Sequence, residues 1–511
     1  MGETKVNLHH LLEDIRDSYP FPQEEVIVTE LVANSLDSQA SDIRFITDPQ
    51  KSALTVIDNG KGMNKKELDG YHNIASTTKT RGMGIGFAGV GAKLSLLIAK
   101  EVITETANGN FRSATRWKLE NDEKAPWKYI TPTDLKFIKS SHGTAVSIFF
   151  KSNNSDLLNP KFIEKTIQKH FYTILDDTFQ RALRSIYKNG INFYVNEQKI
   201  SLSEMMQFEK SNAFKIHFGK KGKPVGVGFV RKYKDPLDEE KRGIAISTCG
   251  KVIKHGWDWL GISAKNPDYI TGVVEIPDLS LFLTTNKADF LKDTASLQKY
   301  YRYRKAVQEA IGPILKEFGE INESREKSTK ELRPLEKEIR QIIDNMLTDF
   351  PELDPLFGRI KKSETAVFVS ADPLASDTGT AVEKDSEKTI INSEDNNNKE
   401  NMKNDENNGG RLPNFDIGKK DTGLPQEGKR KSPGLMIGFY NNKDSNELGK
   451  IEEGTVWINN EHPAFKRVIK AGGEKYHIVV STAFVLSSYL QEQKSLQAFI
   501  NSFLSNWGKE T

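Results

Sequence analysis

The chain has 511 residues, of which 37% are hydrophobic and 28% are charged, and this length suits two or three domains with their own cores. Its formal net charge of +3 is close to balance, so composition alone gives no argument for a nucleic-acid partner. The single cysteine, Cys249, excludes an intramolecular disulfide and fits a reducing cytosol. The first residues hold no apolar signal core, and no apolar run is long enough for a membrane. The sequence therefore predicts a cytoplasmic protein with no membrane partner.

A helix is predicted after the Pro-containing segment at residues 19–22. The apolar residues that follow recur at helical spacing: Val26, Ile27, Leu31, Val32 and Leu36. Glu30, Asn34 and Asp37 are three or four residues apart, so they share one face of this helix. The amide oxygen of Asn34 suits Mg²⁺, and Glu30 suits the activation of a water that attacks a phosphate. Taken alone, the trio fits a solvated polar stripe even better.

A buried strand is predicted over residues 53–57, and it runs into Asp58-Asn-Gly-Lys-Gly-Met. Asp58 is placed to accept a hydrogen bond from the exocyclic amine of adenine, while the glycines let a flat ring approach the backbone. The same residues are a common hairpin signal. The residues from Asn64 onward look like the start of a helix and not like a returning strand, which favours the ligand site.

A glycine-rich loop, Gly82-Met-Gly-Ile-Gly-Phe-Ala-Gly-Val-Gly91, leads into a predicted helix over residues 92–99. The backbone amides of such a loop and the N-terminus of a helix bind anions. No Gly-Lys-Ser/Thr follows, so this is not a Walker loop, and no strand leads directly into it as a dinucleotide fingerprint requires. The basic segment before it, residues 76–81, is a candidate lid over phosphates. The alternative is that this glycine-rich loop is only a flexible lid.

In this order the motifs resemble the GHKL (Bergerat-fold) ATPases, which include gyrase B, ninety-kilodalton heat-shock chaperones, histidine kinases, MutL and the microrchidia (MORC) proteins. The later Gly-Thr of that family is matched by Gly143-Thr144, in a predicted strand over residues 142–150. The resemblance implies that Glu30 is the general base, that Asn34 is the Mg²⁺ ligand, and that Asp58 reads adenine. It implies ATP contacts from further motif residues: Asp37, Gly60, Gly62, Met63, Lys79, Gly86, Gly89, Val90, Gly91 and Thr144.

The presence of Glu30 favours the hydrolysing branch of the family, because histidine kinases typically lack a water-activating glutamate at this position. A transducer domain is implied by Asn286-Lys-Ala-Asp-Phe290, which is similar to the MORC version of that domain's switch segment. In hydrolysing GHKL proteins a lysine of this segment meets the γ-phosphate, so Lys287 is the second candidate catalytic residue. Without the first domain, a surface lysine in a turn would be the simpler interpretation. The resemblance therefore implies ATP hydrolysis, with ATP and Mg²⁺ as the bound cofactors.

The predicted fold class is α+β, in five parts. These are a Bergerat-fold ATP-binding α/β sandwich (residues 1–153), an α/β transducer domain (154–295), a helical arm (296–362), a disordered linker (363–433) and a small C-terminal α+β domain (434–511). The helix of the arm is expected to be interrupted near Gly312-Pro313 and Pro334. The linker is polar and Asn-rich, so it buries too little apolar surface to offset its ordering entropy.

In the C-terminal part, a strand is predicted over residues 455–459 and a largely buried helix over residues 478–490. A final helix carries an apolar stripe: Leu496, Phe499, Ile500, Phe503, Leu504 and Trp507. This stripe either packs within its own domain or forms a homodimer contact, and the sequence favours neither.

Three functions are compatible with these features. The first is a DNA-associated clamp or remodeller, in which ATP pairs two N-terminal domains into a homodimer and hydrolysis releases them. Basic and aromatic residues alternate between Lys215 and Lys234 and form a candidate DNA-facing patch, although a solvated hairpin is slightly favoured. The second is a chaperone-like ATPase that acts on protein clients. The third is a nucleotide-regulated scaffold that scarcely hydrolyses ATP, which the Glu30–Asn34 pair disfavours.

Overall fold

A computed structural model describes residues 7–74, 82, 84–86, 91–130, 135–202, 208–219, 222–320, 323–353, 436–440, 442–443, 445–452, 454–488, 490 and 493–509. Within these ranges the chain forms three sheets with helices packed against them, so the predicted α+β fold class is confirmed. The predicted linker and the predicted basic lid at residues 76–81 lie outside the described ranges.

The first sheet carries the Gly-Thr strand beside the strand that ends at Asp58. Its strands are β1 (Asp42–Asp48), β2 (Ala53–Asp58), β3 (Ala99–Asn108), β4 (Phe111–Trp117), β5 (Trp127–Ile130), β6 (His142–Phe150), β7 (Asn192–Val195) and β8 (Gln198–Lys199). Their order is β5-β4-β3-β6-β2-β1-β7-β8; β1 and β7 run parallel, whereas the other neighbours are antiparallel. The register places Asp58 beside Thr144 on β6, and Thr144 beside Thr106 on β3. Because β7 and β8 follow residue 153, this sheet uses chain from both sides of the predicted domain boundary.

The helices of this part are α1 (Leu8–Asp17), α2 (Gln23–Asp37), α3 (Lys65–Tyr71), α4 (Ser95–Ile98), α5 (Pro160–His170), α6 (Tyr172–Leu175) and α7 (Asp177–Leu183). The helix predicted from Val26, Ile27, Leu31, Val32 and Leu36 is α2, and all five residues are buried. Helix α3 begins at an Asn64–Glu67 capping box, so the Asp58 turn does lead into a helix. The helix predicted over residues 92–99 is shorter, because a 3₁₀ turn covers Gly91–Leu94 and β3 already begins at Ala99.

The second sheet consists of β9 (Phe208–His217), β10 (Pro224–Tyr233), β11 (Gly243–Thr248), β12 (Lys251–Lys254) and β13 (Ile270–Glu275), in the order β12-β11-β13-β10-β9. Two long helices follow, α8 (Thr294–Glu317) and α9 (Glu323–Met346). The predicted interruptions at Pro313 and Pro334 are wrong, since each proline lies inside a helix. Helix α8 ends instead at Glu317, and Gly319, with a φ of 73°, is the left-handed glycine that often follows a helix. Further 3₁₀ turns cover Asp156–Leu158, Glu239–Lys241, Pro267–Tyr269, Pro277–Phe282 and Pro351–Leu353.

The C-terminal part contains β14 (Met436–Tyr440), β15 (Gly449–Glu452), β16 (Thr455–Asn459), α10 (Pro463–Lys470), α11 (Glu474–Ser487) and α12 (Gln493–Lys509). The predicted strand at 455–459 is β16, and the predicted buried helix is α11. On α12, Phe499 and Phe503 are fully buried in a core that also contains Ile339 and Ile342 of α9. The centre of the apolar stripe therefore packs within the chain, and the second helix of the predicted arm packs with it. Across the described ranges, no helix combines the length and the apolar character needed to cross a membrane.

Candidate functional site

Helix α2 supplies the polar residues of the candidate site. It is buried over most of its length, with apolar neighbours on several sides, because it packs between the first sheet and α5. Glu30 is 2% exposed, whereas Asn34 and Asp37 are half-buried. A carboxylate this deeply buried requires a charged or hydrogen-bonding partner, which excludes the interpretation of this face as a solvated stripe.

Lys287, which follows the last strand of the second sheet in the chain, is that partner. It lies in the loop after the 3₁₀ turn Pro277–Phe282, with a φ of 54°, and its ammonium donates hydrogen bonds to both carboxylate oxygens of Glu30. Lys287 is 1% exposed, so the surface-lysine alternative is wrong. The phenol of Tyr19 donates to Oε1 of Glu30 at 3.5 Å. The two predicted catalytic residues are thus in direct contact.

Further buried charges adjoin this ion pair. Lys251, the first residue of β12, is 3% exposed, and burial lowers the pKa of its ammonium to about 8. The carboxylates of Glu30 and Glu25 oppose that shift. Glu25 is itself held by a 2.5 Å hydrogen bond to Nε2 of His170, at the end of α5. The two buried glutamates of α2, Glu25 and Glu30, therefore face cationic or hydrogen-bonding groups from the neighbouring elements.

Asp58 ends β2 in a buried, hydrogen-bonded position. Its carboxylate accepts hydrogen bonds from the hydroxyls of Ser35 and Ser38 at 3.2 Å each, and from the backbone amide of Gly60 at 2.9 Å. Burial raises the pKa of Asp58 to about 6, and these hydrogen bonds oppose the shift. Such a carboxylate, fixed from behind by a helix, is suited to accept a hydrogen bond from the amine of a purine ring.

The turn after Asp58 requires its two glycines. A Cβ on Gly60 would lie 1.9 Å from Oγ of Ser38. A Cβ on Gly62, where φ is 70°, would lie 1.8 Å from the carbonyl oxygen of Ala107. The backbone of the turn therefore lies directly against α2 and β3, which is possible only because both side chains are absent.

Met63 and Thr144 flank the same turn. The amide of Met63 donates to Oγ1 of Thr106 at 2.8 Å, and that hydroxyl lies 3.3 Å from the carbonyl oxygen of Gly143. Thr144 is half-buried and pairs with Asp58 across the sheet. The structure thus brings the Asp58 turn and the Gly143-Thr144 strand together through Thr106.

Asp37 holds the start of the glycine-rich loop. Its Oδ1 accepts a hydrogen bond from the amide of Ile85, and its Oδ2 accepts one from the amide of Gly86, both at 2.9 Å. A Cβ on Gly86 would lie 3.0 Å from Oδ1 of Asn34, so this glycine brings the loop against the polar face of α2. Asp37 therefore positions the loop backbone, and its direct contact with ATP stays a prediction.

The remaining loop residues are described only in part. Lys79, Gly89 and Val90 lie outside the described ranges, and their contacts with phosphate stay predictions. Gly91 opens the 3₁₀ turn Gly91–Leu94.

Mg²⁺ fits these residues without a dedicated cage. Among the residues that the structure describes, no three His, Cys, Asp or Glu side chains form a group that would hold a metal ion. Mg²⁺ needs no such group, since it usually takes one or two protein oxygens and completes its shell with water and substrate phosphates. The amide oxygen of Asn34, next to Gly86, suits that single-ligand role.

Comparison with protein families gives a match to the first part of the chain. Residues 22–144 match the family described as "Histidine kinase-, DNA gyrase B-, and HSP90-like ATPase". This range runs from the start of α2 to Thr144, so it includes Glu30 and the motifs predicted to bind ATP, and it excludes Lys287.

Comparison with individual proteins finds bacterial chaperones. The chain is 25% identical over 231 residues to the chaperone protein HtpG of Rhodopseudomonas palustris (strain BisB18), an alignment that covers 42% of this chain and 36% of that protein. It is 28% identical over 181 residues to the chaperone protein HtpG of Wolinella succinogenes, which covers 32% of this chain and 28% of the relative. The chain thus spans about a third of the length of the curated relatives it matches. From residue 22 to residue 144, this chain is therefore similar to the ATPase domains of the GHKL superfamily.

Proposed function

We propose that this chain binds ATP together with Mg²⁺ and hydrolyses it, with Glu30 as the general base. The observation that carries the proposal is the buried Glu30–Lys287 contact, which joins the helix of the ATPase domain to the loop predicted to contain the switch lysine. The buried carboxylate of Glu30 needs a charged or hydrogen-bonding partner, but a neighbouring element could supply one without a lysine from another domain. An ATPase whose bound nucleotide controls the position of its domains does need such a lysine.

Each residue has a distinct task in this proposal. Asp58 accepts the adenine amine, and Asn34 supplies an oxygen to Mg²⁺. When bound, Mg²⁺ would offset the charge on the phosphate oxygens. Glu30 takes a proton from the attacking water.

Lys287 links this chemistry to the second sheet. In the structure its ammonium engages both carboxylate oxygens of Glu30, so Glu30 is free to act as a base only after Lys287 has left it. The terminal phosphate of ATP is the competing anion that would draw Lys287 away and place its charge where negative charge develops. ATP arrival would thereby move the loop that carries Lys287, and hydrolysis would allow it to return.

We further propose that this cycle closes and opens a homodimer of N-terminal domains that acts on protein clients. The relatives that the chain matches are named as chaperones, which supports protein clients as the partner class. The cytoplasmic location predicted from the sequence suits such a role.

A DNA-associated clamp is the second candidate, and the hairpin of β9 and β10 gives it partial support. Lys223 and Lys234 are exposed there, as a phosphate contact requires. Arg231 and Lys232, by contrast, are engaged within the chain. Arg231 lies 4.0 Å from Asp176 and 4.0 Å from the ring centre of Phe229, and Lys232 pairs with Glu320 at 2.8 Å.

Turnover by wild type and Glu30→Ala tests the ATPase proposal. We expect the variant to lose at least about a hundredfold in kcat, because a positioned base contributes that much, while it still binds ATP. Glu24→Ala is the matched control, since it makes the same substitution in the first turn of the same helix. If Glu30→Ala turns over as fast as wild type, the hydrolysis proposal fails.

Two further assays separate the partners. A chaperone should suppress the aggregation of a heat-denatured protein in an ATP-dependent way that Glu30→Ala changes. A clamp should retain duplex DNA on a filter when ATP is bound, with retention that falls steeply as salt rises. Activity in the first assay together with no retention at low salt would leave the chaperone-like proposal alone.

A further inference from the structure

The segment between α1 and α2 contacts both halves of the candidate ATPase site. Tyr19 is 8% exposed, and its phenol points at Oε1 of Glu30 from a distance of 3.5 Å. The preceding carbonyl, that of Ser18, accepts a hydrogen bond from Nδ2 of Asn286 at 2.7 Å. Asn286 is the neighbour of Lys287, so a single loop contacts both the tyrosine segment and Glu30.

Within the described ranges, the side chains that hydrogen-bond Glu30 are Lys287 and Tyr19. If Lys287 moves to phosphate, as proposed above, Tyr19 is the donor that remains. A glutamate side chain has three rotatable torsions, and a base that activates water must be held in one orientation. The 3.5 Å separation is long for a hydroxyl and a carboxylate, and departure of the ammonium would free Glu30 to shorten it.

We propose that Tyr19 is a positioning residue that holds Glu30 toward the attacking water after Lys287 has moved to the phosphate. This inference rests on the proposed ATPase function. The Ser18–Asn286 hydrogen bond extends the idea, since it fixes the tyrosine segment to the loop of Lys287.

Tyr19→Phe tests the proposal in the full chain, because it removes one oxygen and keeps the packed ring. We expect kcat to fall about three- to tenfold, the scale of the loss of one ordinary side-chain hydrogen bond, with an unchanged Kd for ATP and an unchanged melting temperature. Tyr303→Phe is the matched control. It also deletes a phenol that donates to a carboxylate, in this case that of Asp278 at 3.1 Å, which is not one of the predicted site residues, and it should leave kcat and Kd as in wild type.

The outcomes separate this inference from the function beneath it. A wild type without turnover, or a Glu30→Ala variant with full turnover, would remove the ATPase proposal and this inference with it. If Glu30→Ala is inactive and Tyr19→Phe keeps the kcat of wild type, only the inference is overturned. A Tyr19→Phe variant that loses melting temperature or ATP affinity in proportion to kcat would mark Tyr19 as a packing residue, which also overturns it.

Discussion

At the scale of single residues, the Glu30–Lys287 ion pair is the most consequential contact. Each side chain is almost fully buried, and Lys287 engages both oxygens of its partner. A buried pair contributes little net stability, because desolvation offsets most of the attraction. Removal of one partner is different, since it leaves the other charge buried and uncompensated.

A double-mutant cycle measures this pair in the absence of nucleotide. Lys287→Met and Glu30→Gln should each lower the free energy of unfolding by about 3 kcal/mol, and the double variant should lose much less than the sum. Lys292→Met is the matched control, because Lys292 is exposed and its 3.6 Å pair with Asp289 is worth less than about 1 kcal/mol. Additive losses in thermal unfolding would show that the two residues do not interact in solution.

Asp58 gives the site a pH dependence. Its pKa, raised to about 6 by burial, means that the carboxyl is mostly protonated at pH 5 and mostly ionised at pH 7.5. Since the adenine amine donates to the ionised form, a proton must leave before ADP binds at low pH. We expect the Kd for ADP to weaken by about tenfold for each pH unit below 6.

Asp58→Asn separates this effect from the titration of the nucleotide phosphates, because asparagine keeps an acceptor and does not titrate. Its Kd should be weaker than that of wild type at pH 7.5 and should vary with pH only as the phosphates do. Parallel pH profiles for wild type and Asp58→Asn, measured by calorimetry, would contradict the assignment of Asp58 as the adenine reader.

The site residues that the sequence predicts are those whose near neighbours in the chain form a recognisable pattern. Glu30 and Asn34 share a helix face, and Asp58 stands between a strand and two glycines, so short-range spacing identifies them. Ser38 and Thr106 have no such signal, because their contacts with the Asp58 turn exist only once α2 and β3 have packed against it. Lys251 is missed for the same reason. Its position beside two carboxylates depends on β12 and not on its sequence neighbours.

At the scale of elements, the spacing of apolar residues predicts a helix correctly, whereas single prolines predict helix interruptions that the structure does not have. The helical spacing of the apolar residues predicts α2 correctly. A run of residues typical of strands predicts β16 with the bounds that the structure has. Prolines 313 and 334 mislead, because a long helix with tertiary contacts tolerates the loss of one backbone hydrogen bond. The glycine that follows the end of α8 is Gly319, seven residues after the glycine on which the prediction relied.

The hairpin of β9 and β10 shows why composition misjudges a surface. Its aromatic residues look like stacking platforms in the sequence, yet Phe229 and Tyr233 are buried and Phe218 packs on Tyr303 of α8 at 4.8 Å. Phe218 thus packs the second sheet against α8, whereas Phe229 lies 5.6 Å from the ring of Phe179 on α7. A run in which basic and aromatic residues alternate therefore predicts a nucleic-acid surface only if the aromatic side chains remain exposed.

At the scale of the whole molecule, the site depends on chain segments that are far apart in sequence. Glu30 and Lys287 are 257 positions apart, and they meet because the second sheet packs on α5, which in turn packs on α2. The sequence identifies both residues through a family resemblance. The contact between them, and hence the state in which the base is occupied, appears only in the fold.

The shared core of α9 and the C-terminal part has a consequence for shortened chains. The buried residues that α9 contributes to this core are Leu335, Ile339, Ile342, Ile343 and Met346. Polar contacts reinforce the packing, since the amide of Ile437 donates to Glu336 at 2.9 Å and Lys475 pairs with Glu338 at 3.0 Å. A chain cut after residue 353 keeps α9 and exposes this apolar face, whereas a chain cut after residue 320 removes it.

We therefore expect residues 1–353 to associate or precipitate, because a contiguous apolar patch of this kind drives self-association. Residues 1–320 should stay dispersed and should still bind ATP, since the residues argued to form the ATP site lie before Gly319. Size-exclusion chromatography with light scattering, at several concentrations and beside the full chain, distinguishes the two truncations. If residues 1–353 remain as dispersed as residues 1–320, α9 must cover its apolar face in some other way, and the shared core is not what holds the C-terminal part in place.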